Sequence, residues 1–300
     1  MFVVTSSVLT ERAMRAAAQV AREAGLRLDP PVVLSDGSNL LLGLGRGARP
    51  AIVARVAATT AAVRAGDAWL AREVAVAGHL ASRGAPVVAP SGELDPGPHG
   101  FAGLTMTFWD YAEPIPDPVD GARAGAALRD CHAALADFQG DLPAMAVMHE
   151  ADQVVEKLAR EDAIGPEDAA LLRAAGEEAW RRTGAAGGAA QAIHGDAHLG
   201  NVINTADGPL WNDWEDTFLG PVAWDLGCLV ASARAFSGDP AATAAALRGY
   251  GDGVPGHEVL DAFAEARRWQ GTVWSLVAAR DHPDTRARAQ ARLAWFRGRS

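Results

Sequence analysis

The chain has the sequence signature of an α+β protein in two lobes: a small N-terminal lobe around an antiparallel sheet, and a larger, mainly helical C-terminal lobe. Two observations carry this. Between residues 32 and 108, short apolar runs are separated by Gly, Asn, Asp and Pro, as in a strand meander; beyond prolines 114, 116 and 118, long segments carry helical periodicity.

The elements follow in order. Thr10 to Ala24 is a helix with Thr10 as N-cap and Gly25 as its stop. Strands are expected at Val32-Val33-Leu34, Asn39 to Leu44 and Ala51 to Val56. Asp67 is placed to cap a helix reaching about Ser82, with Leu70, Ala77 and Leu80 on its inner face, and Glu73 falls on that same face. Gly84-Ala85-Pro86 ends it. Val87-Val88-Ala89 and Gly103 to Phe108 complete a five-stranded sheet, with a Pro/Gly-rich loop from Asp95 to Gly100 between them. Prolines between Tyr111 and Asp120 break regular structure and set the division into residues 1–110 and 111–300. Helices are expected at about 120–138, 151–160, 166–183, 239–250, 258–280 and 286–296. Strand signals remain only near 192–193, 202–204 and 210–211, the last two joined by a turn at Ala206-Asp207-Gly208.

Composition narrows the function. Of 300 residues, 49% are apolar and 21% charged, enough for a substantial core. Twenty-seven Lys and Arg against 37 Asp and Glu give a net charge of −10, which argues against a nucleic-acid partner and is compatible with a cationic small molecule. Cys131 and Cys228 stand in Ala/Leu-rich helical contexts that fit buried free thiols. With no 18-residue apolar run and an acidic Glu11 where a secretion signal would need an apolar core, neither membrane insertion nor export is expected, and the expected location is cytoplasmic.

The chemistry concentrates in Ile193-His194-Gly195-Asp196-Ala197-His198-Leu199-Gly200-Asn201 and, beyond it, Asn212-Asp213-Trp214-Glu215. Phosphoryl transfer needs a carboxylate beside the attacking hydroxyl and two hard-oxygen ligands for magnesium on the nucleotide phosphates. A loop with Asp and Asn five positions apart, and a second Asp brought back by a hairpin, can supply all three. Taken singly, an Asp and an Asn in a Gly-containing loop are turn formers. His194, Asp196 and His198 could instead hold a transition metal in a hydrolase, but such a site normally needs further ligand clusters, and the other histidines stand singly.

The run His194 to Asn201 resembles the catalytic loop of the aminoglycoside phosphotransferase and choline kinase families, which are relatives of the protein kinases; Asp213-Trp214-Glu215 resembles their metal-binding segment. The resemblance implies a protein-kinase-like fold with Asp196 as catalytic base, Asn201 and Asp213 as Mg2+ ligands, ATP or GTP as co-substrate, and a structural His194. The Asp of Trp224-Asp225-Leu226-Gly227 would support the loop from the start of a helix.

In that arrangement a cation on the third strand touches the α/β-phosphates and is held by a Glu from the next helix. Arg55 is the only charged residue of its strand, and pairing it with the inward Glu73 would resolve the cost of burying either. Arg stands where the family commonly has Lys, so the charge is spread over a planar fork. Asp36-Gly37-Ser38-Asn39 sits where the phosphate-covering loop should be, with Ser38 as a phosphate contact. Gly43-Leu44-Gly45-Arg46-Gly47 leads into a strand rather than a helix, and so is a hairpin turn, not a dinucleotide fingerprint. Thr105 to Tyr111 resembles the hinge that binds the purine, placing Met106, Thr107, Phe108 and Trp109 along the base pocket.

No protein-kinase activation segment follows Asp225. The resemblance therefore places the acceptor among the C-terminal helices, where Asp216, Glu258, Asp261 and Glu265 would form an acidic wall. The expected activity is transfer of a γ-phosphate to an aminoglycoside-like or other hydroxylated amine; a macrolide, choline-like amine, sugar or amino alcohol is the alternative. A non-catalytic nucleotide-binding module is disfavoured because Asp196, Asn201 and Asp213 are all present.

Overall fold

The computed structural model describes residues 7–37, 39–47, 49–57, 66–281 and 285–299. The chain divides into two compact units, Met1–Pro116 with Ile203–Glu215, and Asp117–Val202 with Asp216–Ser300. The division falls at 116/117 rather than at 110/111. A hairpin far along the chain, Val202–Thr205 paired with Gly208–Trp211, also belongs to the first unit from Ile203 onward, a long-range association that composition along the chain does not reveal.

The first unit is built on an antiparallel sheet of order β1-β2-β3-β5-β4: β1 (Val32–Asp36), β2 (Asn39–Leu44), β3 (Ile52–Ala57), β4 (His99–Phe101) and β5 (Leu104–Asp110). Five strands were expected, but in place of 87–89 the sheet uses His99–Phe101, which overlaps the end of the expected loop. Residues 87–90 make only isolated bridges, Val87 to Trp211 and Pro90 to Trp109. Helix α1 (Ser7–Glu23) buries Ala13, Ala16, Ala17 and Val20, spaced along one helical face, against Leu40, Leu42, Leu44, Ile52, Ala54, Val56, Met106 and Phe108. The helix begins at Ser7, so Thr10 lies within it, and Gly25 (φ +88°) closes it with Leu26 N–H donating to Ala21 O at 3.0 Å. Helix α2 (Ala68–Ser82) starts after Asp67, whose carbonyl, not its carboxylate, accepts from Leu70 and Ala71.

Because side chains alternate along a strand, the sheet has two chemical faces. Ile52, Ala54 and Val56 of β3 point to α1, whereas Val53 and Arg55 point the other way, to a cavity in the first unit.

The second unit is mainly helical: α3 (Gly121–Leu135), α4 (Ala146–Arg160), α5 (Pro166–Ala186), α6 (Ala223–Ala235), α7 (Pro240–Tyr250), α8 (His257–Asp281) and α9 (Arg286–Arg297), with the short strands Ala190–Ile193 and Phe218–Pro221 paired antiparallel. Helix α4 begins at Ala146, ahead of the expected 151; α6 is the helix expected to start at Asp225, and the strand at 218–221 adds to the expected elements. Helices α3 and α7 meet at glycines: a Cβ on Gly121 or Gly125 would overlap the carbonyl oxygens of Ala242 or Ala246, and one on Gly249 that of Ala122. The backbones are in contact, so Gly125→Ala forces them apart and is expected to cost about 2 kcal/mol or more, read as a lower midpoint in urea denaturation. Cys131 and Cys228 are buried and not joined in a disulfide. No described helix is long and apolar enough to cross a membrane.

Candidate functional site

In the first unit the functional side chains gather around Arg55. Its guanidinium pairs with Glu73 of α2 and with Glu215, and Nη2 donates to Asp213 Oδ1 at 2.9 Å. With its amide oxygen turned to the guanidinium, Asn39 accepts from Nε at 3.1 Å and from Nη2 at 2.7 Å. Glu73 is 1% exposed, so the pair sits in the interior. Burial alone would lower the Arg55 pKa, but Glu73, Glu215 and Asp213 outweigh it and hold the guanidinium above its ordinary value. The expected Arg55–Glu73 contact is present. Glu215 was not anticipated as a partner; its place two residues after Asp213, at the end of the returning hairpin, was the available signal.

Arg55, Glu73, Asn39 and Asp213 line a cavity of about 590 Å3 whose other walls include Leu41, Val53, Trp109 and Tyr111. That volume is in the usual range for a small-molecule site. Of the four expected hinge residues only Trp109 lines it. Met106 and Phe108 have no exposed surface and pack in the α1-facing core. Thr107, opposite Arg55 in the β3–β5 register, is buried with its Oγ1 accepting from Trp109 Nε1 at 2.9 Å. Alternation explains Met106 and Phe108, while Thr107 shares the Trp109 face but is buried with its hydroxyl engaged by Trp109; the cavity continues through Asp110, Tyr111 and Ala112. Ser38 lies outside the described residues; its neighbours Gly37 and Asn39 line the cavity.

Asp213 has φ +65°, a left-handed conformation that Asp tolerates better than most residues. One guanidinium against three carboxylates leaves an excess of negative charge, and Asp213, on the cavity wall, offers a hard oxygen of the kind Mg2+ takes.

The second unit holds the loop from His194 to Asn201. Asp225, in the first turn of α6 and without exposed surface, accepts from His194 N–H at 2.7 Å and from Gly195 N–H at 2.8 Å. It also contacts His132 Nε2 at 2.8 Å, while His132 Nδ1 lies 2.8 Å from the Tyr250 hydroxyl. With a carboxylate as acceptor, Nε2 carries the proton and Tyr250 donates to Nδ1. Gly195 (φ +87°) has its carbonyl held by Trp224 Nε1 at 2.8 Å, and a Cβ there would overlap the Asp216 carbonyl. Within the loop, His194 Nδ1 accepts from Asp196 N–H at 3.3 Å, and Asn201 Nδ2 donates to Asp196 O at 2.9 Å. Sequence reasoning identified the Asp225 brace; His132 and Tyr250, from α3 and α7, carried no local signal.

The Asp196 carboxylate pairs with Arg267 of α8, and its Oδ2 lies 3.7 Å from His198 Nε2. Burial would raise the Asp196 carboxyl, but Arg267, His198 and His194 outweigh it and hold it below its ordinary value. Arg267 was not anticipated, because it lies 71 residues away beside a second arginine on a helix. His194 directs Nδ1 at its own loop, and no cluster of three His, Cys, Asp or Glu side chains suited to a metal occurs among the described residues. The expected acidic wall is not open to a ligand in the way foreseen: Asp261 pairs with Arg234 at 2.6 Å, and Glu265 with Arg299 at 2.9 Å.

The sequence model of the phosphotransferase enzyme family matches residues 33–269. Among solved structures, a choline/ethanolamine kinase family protein from Mesorhizobium loti is 21% identical, with 96% of this chain and 94% of that chain covered at a TM-score of 0.67. The amicoumacin kinase solved with AMP-PNP, Ca2+ and Ami is 14% identical, with 97% and 96% covered at a TM-score of 0.73. A spectinomycin phosphotransferase solved with ADP and spectinomycin is 11% identical, with 94% and 93% covered at 0.63. At these identities the likeness establishes the fold, which is protein-kinase-like, as expected. None of the curated proteins matches the chain.

Proposed function

The chain belongs to the phosphotransferase enzyme family, and from that premise we propose that it is a small-molecule kinase, transferring the γ-phosphate of ATP or GTP to an acceptor hydroxyl. The observation that most supports this is the buried Arg55, held at once by Glu73 of α2 and by Asp213 of the returning hairpin, on the wall of a 590 Å3 cavity. Residues 1–116 with 203–215, which include Asp213, form the nucleotide-binding lobe, and 117–202 with 216–300 the catalytic and acceptor lobe.

The acceptor oxygen forms a bond to the γ-phosphorus as the bond from that phosphorus to the bridging oxygen of the β-phosphate breaks. The nucleoside diphosphate leaves with that electron pair, and the hydroxyl proton passes to Asp196. Held ionised by Arg267, Asp196 is a weak base; it orients the hydroxyl and takes the proton late. Arg55 neutralises phosphate charge, and Trp109 and Tyr111 line the base pocket. The resemblance assigns Asn201 and Asp213 to Mg2+, which when bound offsets charge on the phosphates. Asp225, His132 and Tyr250 keep the loop of Asp196 in one conformation. Spectinomycin and choline, named with solved relatives, are reference compounds for an acceptor screen.

ATP or GTP at about 100 times its Kd is expected to stabilise the full chain by about 2.7 kcal/mol, with Mg2+ enlarging the effect. Asp213→Ala should remove the magnesium-dependent part. Thermal melts with each nucleotide, with and without Mg2+, make the comparison, followed by acceptor-dependent release of nucleoside diphosphate. Without nucleotide stabilisation the reading fails; nucleotide binding without turnover on any acceptor would reduce the chain to a binding module.

A further inference from the structure

The second unit contains a pocket of about 330 Å3 adjoining the Asp196 loop, lined by His198, Ser232, Phe236, Arg267, Trp274 and Arg292 among others. Two of these are arginines, and no carboxylate lines the pocket among the described residues. Arg267 is already engaged, pairing with Asp196 and donating to Gln270. Arg292, on α9, differs. Its guanidinium stacks 4.5 Å from the Phe236 ring centroid, whose ring also carries Arg267 at 5.6 Å, and it pairs with no described carboxylate. It is half-buried. Burial, together with Arg288 and Arg267 nearby, lowers its pKa to about 10. Asp196 and Asp216 lie near Arg267 and favour its charge; among the described residues no carboxylate does the same for Arg292.

A partly desolvated guanidinium with no counter-charge among the described residues is costly unless a ligand supplies one. Its planar fork matches carboxylate and phosphate, and stacking on Phe236 fixes the fork so that little freedom is lost on binding. The volume lies at the low end of small-molecule sites, which run from roughly 300 to 1,000 Å3. Resting on the kinase reading above, we propose that the acceptor is a small hydroxylated compound bearing an anionic group, carboxylate or phosphate, that docks on Arg292 with its hydroxyl directed to Asp196. An acceptor whose only charge is cationic does not suit this pocket.

The test titrates the full chain, loaded with a non-hydrolysable ATP analogue, with glycerate, glycerol 3-phosphate, choline and kanamycin by calorimetry. Glycerate or glycerol 3-phosphate is expected to bind, the better of the two identifying the anion, and Arg292→Gln is expected to weaken that binding about 10- to 100-fold. Binding of choline or kanamycin with neither anion bound overturns the proposal. So does failure of both anions to bind, or anion binding that is unchanged in Arg292→Gln. On the unsubstituted chain, the Arg292 Nε–H resonance is expected to shift with the bound anion and not with choline; an unmoved resonance also overturns it. The affinity for the ATP analogue is measured in the same series. If the analogue fails to bind, the kinase reading itself falls; if it binds and only the cations follow, the anion assignment alone falls.

Discussion

Asp196→Asn is expected to lower kcat by a factor of about 10²–10⁴ while leaving nucleotide affinity unchanged, the usual share of a positioned base. The substitution keeps the side chain's size and leaves an amide oxygen able to accept from Arg267, so the local packing of α8 against the loop is retained. What it removes is a negative charge and a proton acceptor. Because Arg267, His198 and His194 outweigh burial and hold the wild-type carboxyl below its ordinary range, Asp196 is ionised across the neutral range, and the acid limb of kcat should lie below that range. Steady-state kcat and the KM for nucleotide separate the outcomes: turnover at the wild-type rate removes Asp196 from proton transfer, and a large rise in nucleotide KM makes it a nucleotide contact instead.

Much of the frame was legible because its signals are local. The β2–β3 pair is set by an unbroken alternation that packs Leu40, Leu42 and Leu44 with Ile52, Ala54 and Val56 on the α1 face, so Arg55 on the opposite face was the cation to expect. Glu73 stood on an otherwise apolar helical face, and a lone carboxylate there predicts a buried partner. The loop from His194 to Asn201 compresses its chemistry into eight residues, and its brace, Asp225, lies within a short motif of its own. The base-pocket residues were legible in part. The same alternation, applied to β5, separates Trp109 from Met106 and Phe108, whereas a contiguous segment taken from the hinge resemblance does not.

The features that escaped are those made by distant segments. His99–Phe101 pairs with Met106 to Leu104 across a tight connection although Gly100 disfavours a strand and only Phe101 favours one, a case of tertiary pairing overriding local preference. Arg267 on α8, and His132 and Tyr250 on α3 and α7, acquire their roles only when helices pack. In sequence, Arg267 is one of two adjacent arginines on a helix that is polar on one side. The acidic wall failed for the same reason. Asp261 and Glu265 are spaced to share a helix face, but Arg234 and Arg299, from α6 and the C-terminal end, neutralise them.

Arg55→Met is expected to destabilise the chain by about 3–5 kcal/mol, the cost of removing one partner from a buried ion pair and leaving the others uncompensated. Glu73 is buried, Glu215 nearly so, and with Asp213 they would face one another with no cation among the groups that Arg55 now holds. Met fills the volume of the side chain, so the loss reports charge rather than a cavity. The penalty should shrink as pH falls: an uncompensated Glu73 binds its proton more readily folded than unfolded, so the variant gains stability on acidification relative to the wild type. Urea denaturation of both proteins at neutral and acidic pH measures the difference. A loss below about 1 kcal/mol, the value of a solvent-screened surface pair, would mean that Arg55 does not hold the three carboxylates together. A large loss that does not diminish in acid would point to packing instead of charge.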